Sequence, residues 1–110
     1  MRLDGVLPFR GEVVWLTAEQ GGRSSGPPPT PDHQDYAATA YVPPATLDDG
    51  LASFVLRVAD RSAWRSEAEA AWLGSENEGV HWVRQGSVAV VTEGSRPVAY
   101  FHVREVVDTI

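Results

Sequence analysis

Two arginines stand on glycine-marked bends far apart in the chain: Arg23 closes Gly21-Gly22-Arg23, and Arg96 closes Glu93-Gly94-Ser95-Arg96. A guanidinium is a planar fork of donors matched to a carboxylate or a phosphate. If both bends lie on one rim, the pair offers such donors to an anion on a partner. The local alternative is that each arginine caps its own loop by donating to backbone carbonyls. A second grouping, Asp32-His33-Gln34-Asp35, sets two carboxylates and an imidazole side by side. That is ligand chemistry for a divalent ion, but polar loops produce it often by chance, and no metal is assigned to it. His81 and His102 fall in strand-like stretches and read as half-exposed cross-strand partners rather than acid–base groups. Ser24, Ser25, Ser87 and Ser95 lie near glycines, yet no Gly-x-Ser-x-Gly elbow is present. Asp48-Asp49 reads as a turn. No residue is assigned to catalysis, and no cofactor is expected.

The elements that must position these groups are strands. Ser87 to Arg104 alternates with the two-residue period of a β-hairpin: Ala89 and Val91 against Val88, Val90 and Thr92, then Ala99, Phe101 and Val103 against Val98, Tyr100 and His102. Gly94 supplies a positive φ between the arms, and Pro97 stands at a strand start, where a missing N–H costs least. Phe9 to Thr17 reads as a first strand with Phe9, Gly11, Val13 and Trp15 facing the core. Tyr36 to Val42 and Leu51 to Val58 read as two more, the second with Phe54 and Leu56 on one face and Val55 opposite. Val80 to Val83 is a short extended piece.

Ser62 to Leu73 carries conflicting signals. Alanine and glutamate favour helix, and Trp64, Ala68 and Trp72 share one helical face. As a strand, Ala68, Ala70 and Trp72 alternate with Glu67, Glu69 and Ala71. Pattern alone favours the helix.

Between the first two strands runs a long polar excursion, Ala18 to Asp35, including Gly26-Pro27-Pro28-Pro29-Thr30-Pro31. Prolines at this density exclude both helix and ladder pairing and favour an extended, semi-rigid path. A loop of that length is either a mobile surface segment or a docking element. Trp15 and Trp72 are assigned to the core, whereas Trp64 and Trp82 are the candidates for an exposed aromatic patch, since Trp and Arg anchor interfaces disproportionately.

A chain of 110 residues with 43% hydrophobic residues and four tryptophans fits one domain with one core, hiding roughly 65% of its unfolded surface. There are no cysteines, which removes disulfides, thiolate nucleophiles and cysteine-based zinc sites. Neither a signal-peptide apolar stretch nor a run of membrane-span length is seen, so the expected compartment is the cytoplasm. All nine cationic side chains are arginine, against fifteen acids, for a net charge of −6. Nucleic-acid affinity draws on displaced counterions, and this chain has few cations to offer.

Phe9-Arg10-Gly11-Glu12-Val13-Val14-Trp15-Leu16-Thr17-Ala18-Glu19-Gln20-Gly21-Gly22-Arg23 resembles the opening of the C-terminal, third β-barrel domain of translation elongation factor Tu. Thr92-Glu93-Gly94-Ser95-Arg96-Pro97-Val98-Ala99 is similar to that domain's penultimate turn. The resemblance covers nearly the whole chain and is weak in its middle third. It implies an all-β fold, a six-stranded antiparallel closed barrel spanning residues 1–110, with no catalytic residues. It also implies a strand over Arg65 to Leu73, whose face of Ala68, Ala70 and Trp72 closes the barrel against the hairpin. The parent factor's GTP-binding loop has no counterpart in a chain without lysine. Where the family continues with histidine and proline, then tyrosine-arginine-proline-glutamine, this chain has Ser24-Ser25 and, roughly, Asp32 to Asp35.

By resemblance, Gly22, Arg23, Glu93 and Gly94 are expected to form a rim, joined by Arg96, that contacts a protein partner in a translation-associated role. Two alternatives stand beside that expectation. One is tRNA or other RNA binding on the same rim, which the acidic charge opposes. The other is a small hydrolytic or metal-dependent enzyme using His33.

Overall fold

In six segments of this chain every second residue is small or apolar, and a strand with such a face must bury it. In the computed structural model, which describes residues 5–24, 26–28, 34–73 and 83–107, they become β1 (Phe9–Trp15), β2 (Tyr36–Tyr41), β3 (Ala52–Val58), β4 (Arg65–Trp72), β5 (Val88–Glu93) and β6 (Arg96–Val106). Every pairing is antiparallel, and the order β1-β4-β3-β2-β5-β6 closes on itself through β1 and β6. Closure leaves no unpaired edge.

The barrel interior is filled by the inward residues of all six strands. Phe54, Leu56, Val13, Val91, Val98 and Phe101 are fully buried there. Phe54 meets Trp72 edge-on at 4.8 Å and Phe101 at 6.1 Å. Burying such rings supplies most of the favourable free energy of a core this size. Trp72 is partly buried against it, as the alternation on β4 requires.

β4 settles the conflict between Ser62 and Leu73 in favour of the strand: Ala68 and Ala70 face inward, Glu67 and Glu69 outward. Its neighbours differ from expectation, however. β4 is hydrogen-bonded to β1 and β3, so it does not close the barrel against the hairpin; β6 pairs with β1, and β5 with β2. The close approach of β1 to β6 needs a particular residue. A Cβ on Gly11 would stand 1.8 Å from the His102 carbonyl oxygen, at the point where the β1–β6 register slips by one. Only glycine fits.

The hairpin turn is shorter than the sequence suggests. Glu93 and Arg96 are still a ladder pair, leaving Gly94, with φ of 62°, and Ser95 as the two-residue turn. A bulge at Val91/Thr92 adds Val98 to the core. Of the proposed piece Val80 to Val83, only Val83 is described; it packs against the core outside any strand.

One packing feature has no counterpart in the alternation. Val55 and Ala71 point outward as register partners, yet both are buried, and so is Leu7. The segment before β1 is tied to the same two strands: the Leu7 N–H donates to Glu69 Oε1 at 3.3 Å, and Arg57 Nη1 donates to the Gly5 carbonyl at 2.8 Å.

Candidate functional site

β1 ends in a tightly organised bend. Thr17 caps a one-turn 3-10 helix, Ala18–Gln20: its hydroxyl accepts from the Gln20 N–H at 3.3 Å, while Gln20 Oε1 accepts from the Thr17 N–H at 2.9 Å. This reciprocal pair satisfies two donors that the turn would otherwise leave open. Gly21 takes the left-handed conformation, and the Gly22 N–H returns to the Thr17 carbonyl at 2.8 Å. A Cβ on Gly22 would stand 2.4 Å from the Leu16 carbonyl oxygen. The bend therefore folds flat onto the strand it left, and Arg23 emerges toward the end of β5.

There Arg23 Nη1 donates to Glu93 Oε2 at 3.0 Å, across seventy residues of sequence. The Tyr36 hydroxyl, from the start of β2, donates to the same oxygen at 2.5 Å. Burial, followed by the negative charge of Glu93, pushes the Tyr36 phenol well above its ordinary range. It stays a neutral donor through the physiological range. The Tyr36 ring meets Trp15 edge-on, with centroids 5.4 Å apart. Trp15 is buried, 4% exposed, and its indole Nε1 has no hydrogen-bond acceptor among the described residues.

Arg96 faces Glu93 across the hairpin turn and is exposed, and among the described residues no carboxylate pairs with it. Trp64, two strands away at the same end, accepts the Trp15 backbone N–H at its carbonyl at 2.8 Å while its side chain is 45% exposed. Its ring also lies over Gly26, where a Cβ would be 3.4 Å from Cζ2. Gly26 and Pro28 are buried, so the start of the proline-rich excursion is packed down at this end.

The structure thus brings Gly22, Arg23, Glu93, Gly94, Arg96 and Trp64 to one end of the barrel. Among the described residues Arg23 donates to a carboxylate on another bend and to no backbone carbonyl of its own loop. Trp82, the other aromatic candidate, lies outside the described residues, as do His33, Asp32, His81 and Ser25. Tyr36 was legible only as a strand aromatic. Its role depends on β2 and β5 being neighbours, which no local signal announces.

Asp35, one of the two carboxylates in the Asp32-His33-Gln34-Asp35 grouping, is engaged with an arginine of β3. It is buried and accepts two parallel bonds from Arg57, Nε to Oδ1 at 2.9 Å and Nη2 to Oδ2 at 3.0 Å. Beside it Arg61 Nη2 donates to the Gln34 carbonyl at 3.2 Å. Among the described residues no group of three or more metal-ligating side chains is assembled. Asp49 is a turn residue, accepting from the Thr46 N–H at 2.7 Å. Ser87 accepts from the Arg84 N–H at 3.0 Å, and His102 is exposed on the outer face of β6.

Two wider grooves lie away from this end. One, of about 450 Å³, runs along the outer wall by Arg10, Arg57, Glu67 and Glu69; the other, of about 600 Å³, is at the opposite end by Pro43, Pro44, Arg84 and Ser87. Neither contains a histidine or gathers a nucleophile with a base. No protein-family model matches the chain, and no curated protein matches it. No helix among the described residues is long and apolar enough to cross a membrane.

Proposed function

We propose that this protein is a non-enzymatic binding module that docks a protein partner on the barrel end carrying Arg23, Glu93, Arg96 and Trp64. The observation that carries this reading is the meeting of two bends seventy residues apart in one ion-paired rim. An exposed guanidinium, that of Arg96, and an exposed indole, that of Trp64, lie at that same end. Interfaces draw their energy from such aromatic and arginine anchors. The resemblance of both bends to the third domain of elongation factor Tu supports the same assignment and adds a translation-associated setting, without GTPase activity. RNA on this rim is disfavoured: the Arg23 charge is already met by Glu93, and the chain carries −6 overall.

The test is capture of partners from an extract of the protein's own cells by the immobilised wild type and by the Trp64→Ala and Arg96→Glu variants. A protein retained after ribonuclease treatment and at about 0.3 M salt, and lost with both variants, supports the assignment. Capture that vanishes with ribonuclease, or falls steeply with salt, replaces it with RNA binding.

A further inference from the structure

Two donors meet at the head of the barrel, the Arg23 guanidinium and the Tyr36 hydroxyl, and the Tyr36 ring rests edge-on against Trp15, whose indole N–H has no acceptor among the described residues. Arg96 is the ladder partner of Glu93 and is exposed, with no carboxylate pairing with it among the described residues. The acceptor in their midst is the Glu93 carboxylate, carried on the last residue before the two-residue turn. Arg23 and Tyr36 both converge on Oε2. A grouping of donors around one carboxylate is what a carboxylate receptor looks like with its ligand bound. Here the ligand is a side chain of the same molecule.

The Glu93 side chain is 39% exposed and that of Arg23 is 23% exposed. Ion pairs so open to water contribute little net stability, so one carboxylate can replace another at small cost. We propose that this position is a carboxylate-binding site that Glu93 fills in the free protein, and that the partner docks by placing an acidic side chain of its own where Glu93 lies. The idea rests on the docking assignment above and gives that partner a chemistry. Arg96 lies next to the exchange and neutralises the second carboxylate while both are present. A single carboxylate suits the site better than a polyphosphate backbone does. The planar two-oxygen group matches the donors already arranged for Glu93, and a long polyanion would meet the repulsion of a chain charged −6.

The experiment uses sodium acetate as the probe, against sodium chloride at matched ionic strength, with inorganic phosphate as a second arm. Heteronuclear NMR reads the Trp15 indole N–H and the Arg23 Nε–H in the wild type, in Glu93→Ala and in Glu93→Ala/Arg23→Met, with circular dichroism confirming that each variant is folded. The expected result is that acetate shifts both signals in Glu93→Ala, with half-saturation about tenfold lower than in the wild type. The double variant should lose the response, and Glu93→Ala should also capture more partner. An equal acetate response with and without Glu93, a response that survives loss of Arg23, or phosphate binding more tightly than acetate would each overturn the exchange. Those failures leave the docking assignment standing wherever Trp64→Ala and Arg96→Glu still abolish capture. Conversely, capture indifferent to both variants overturns docking at this end while an acetate response in Glu93→Ala preserves the receptor.

Discussion

Two arginine–carboxylate pairs fasten the two ends of the same excursion, and they are built differently. At its far end Asp35 is sealed, its side chain 0% exposed, and is held by Arg57, 17% exposed, through two parallel bonds. At its near end Arg23, 23% exposed, reaches Glu93 through one bond, and it is the Glu93 carboxylate, 39% exposed, that stands open to water. The chemistry is shared; the dielectric is not. A charge taken fully from water must keep its partner, because the desolvation cost is recovered only while the partner is in place. A charge that water still reaches can exchange its partner. The first pair is an anchor and the second is a contact that can be traded.

The sharpest way to break that contrast is Arg57→Ala. It removes both bonds that Arg57 donates to the buried Asp35 carboxylate, for an expected loss of about 3–5 kcal/mol in urea unfolding. It also removes the bond that holds the Gly5 carbonyl, loosening the segment before β1. The double variant Asp35→Ala/Arg57→Ala should be more stable than Arg57→Ala alone, since the buried carboxylate is removed together with its guanidinium. If Arg57→Ala costs no more than a rim substitution, the anchor role of this pair fails.

Gly22→Ala acts on the bend that aims Arg23. The new methyl would meet the Leu16 carbonyl at 2.4 Å, and backbone cannot step aside as a flexible side chain can. Overpacking of this kind costs about 1–3 kcal/mol. The accompanying signature is loss of the Arg23–Glu93 contact, read from the Arg23 Nε–H signal. A stable variant with that signal unchanged would show that the bend does not set the rim.

Much of this architecture is written in local pattern. The alternation in Val88 to Val91 and Ala99 to Val103 gives the hairpin its inward face, and the glycine at 94 gives its turn. The strand at Arg65–Trp72 is a case where local propensity loses: alanine and glutamate favour helix, but burying Ala68 and Ala70 between β1 and β3 outweighs an intrinsic preference of tenths of a kcal/mol, about 0.7 at most per ordinary residue. What no pattern discloses is partnership between distant strands. Asp35 looks like one more polar loop residue until β2 is laid beside β3, and Tyr36 looks like any strand aromatic until β5 brings Glu93 to it. Gly22 and Gly11 stand out in the sequence as glycines, but the carbonyls they make room for do not.

A smaller effect separates the rim from the anchor by pH. Tyr36 holds its proton more tightly in the folded protein than the ordinary phenol value of 10.0, through burial and then through Glu93. Below that pH both the folded and unfolded chains keep the proton, and stability owes nothing to pH through this group. Above it the unfolded chain ionises first, so stability falls as pH rises. Chemical denaturation between about pH 9 and 11 should show this alkaline loss in the wild type and a flatter limb in Tyr36→Phe. Identical slopes would mean that Tyr36 is no more tightly held than an exposed tyrosine.

The smallest effect expected is the most diagnostic. Glu93→Ala removes an exposed pair, and its coupling to Arg23 in a double-mutant cycle should lie at about 0–1 kcal/mol, shrinking further with added salt. The bond lost from the Tyr36 hydroxyl adds to the single-variant cost but cancels from the cycle, because it is absent whether or not Arg23 is present. A coupling that approached the penalty of breaking the Asp35–Arg57 pair would make the rim a second anchor, too firmly tied for Glu93 to give way to a partner's carboxylate. A weak, salt-sensitive coupling leaves the rim pair what its exposure makes it, a contact strong enough to hold Arg23 in place and weak enough to be exchanged.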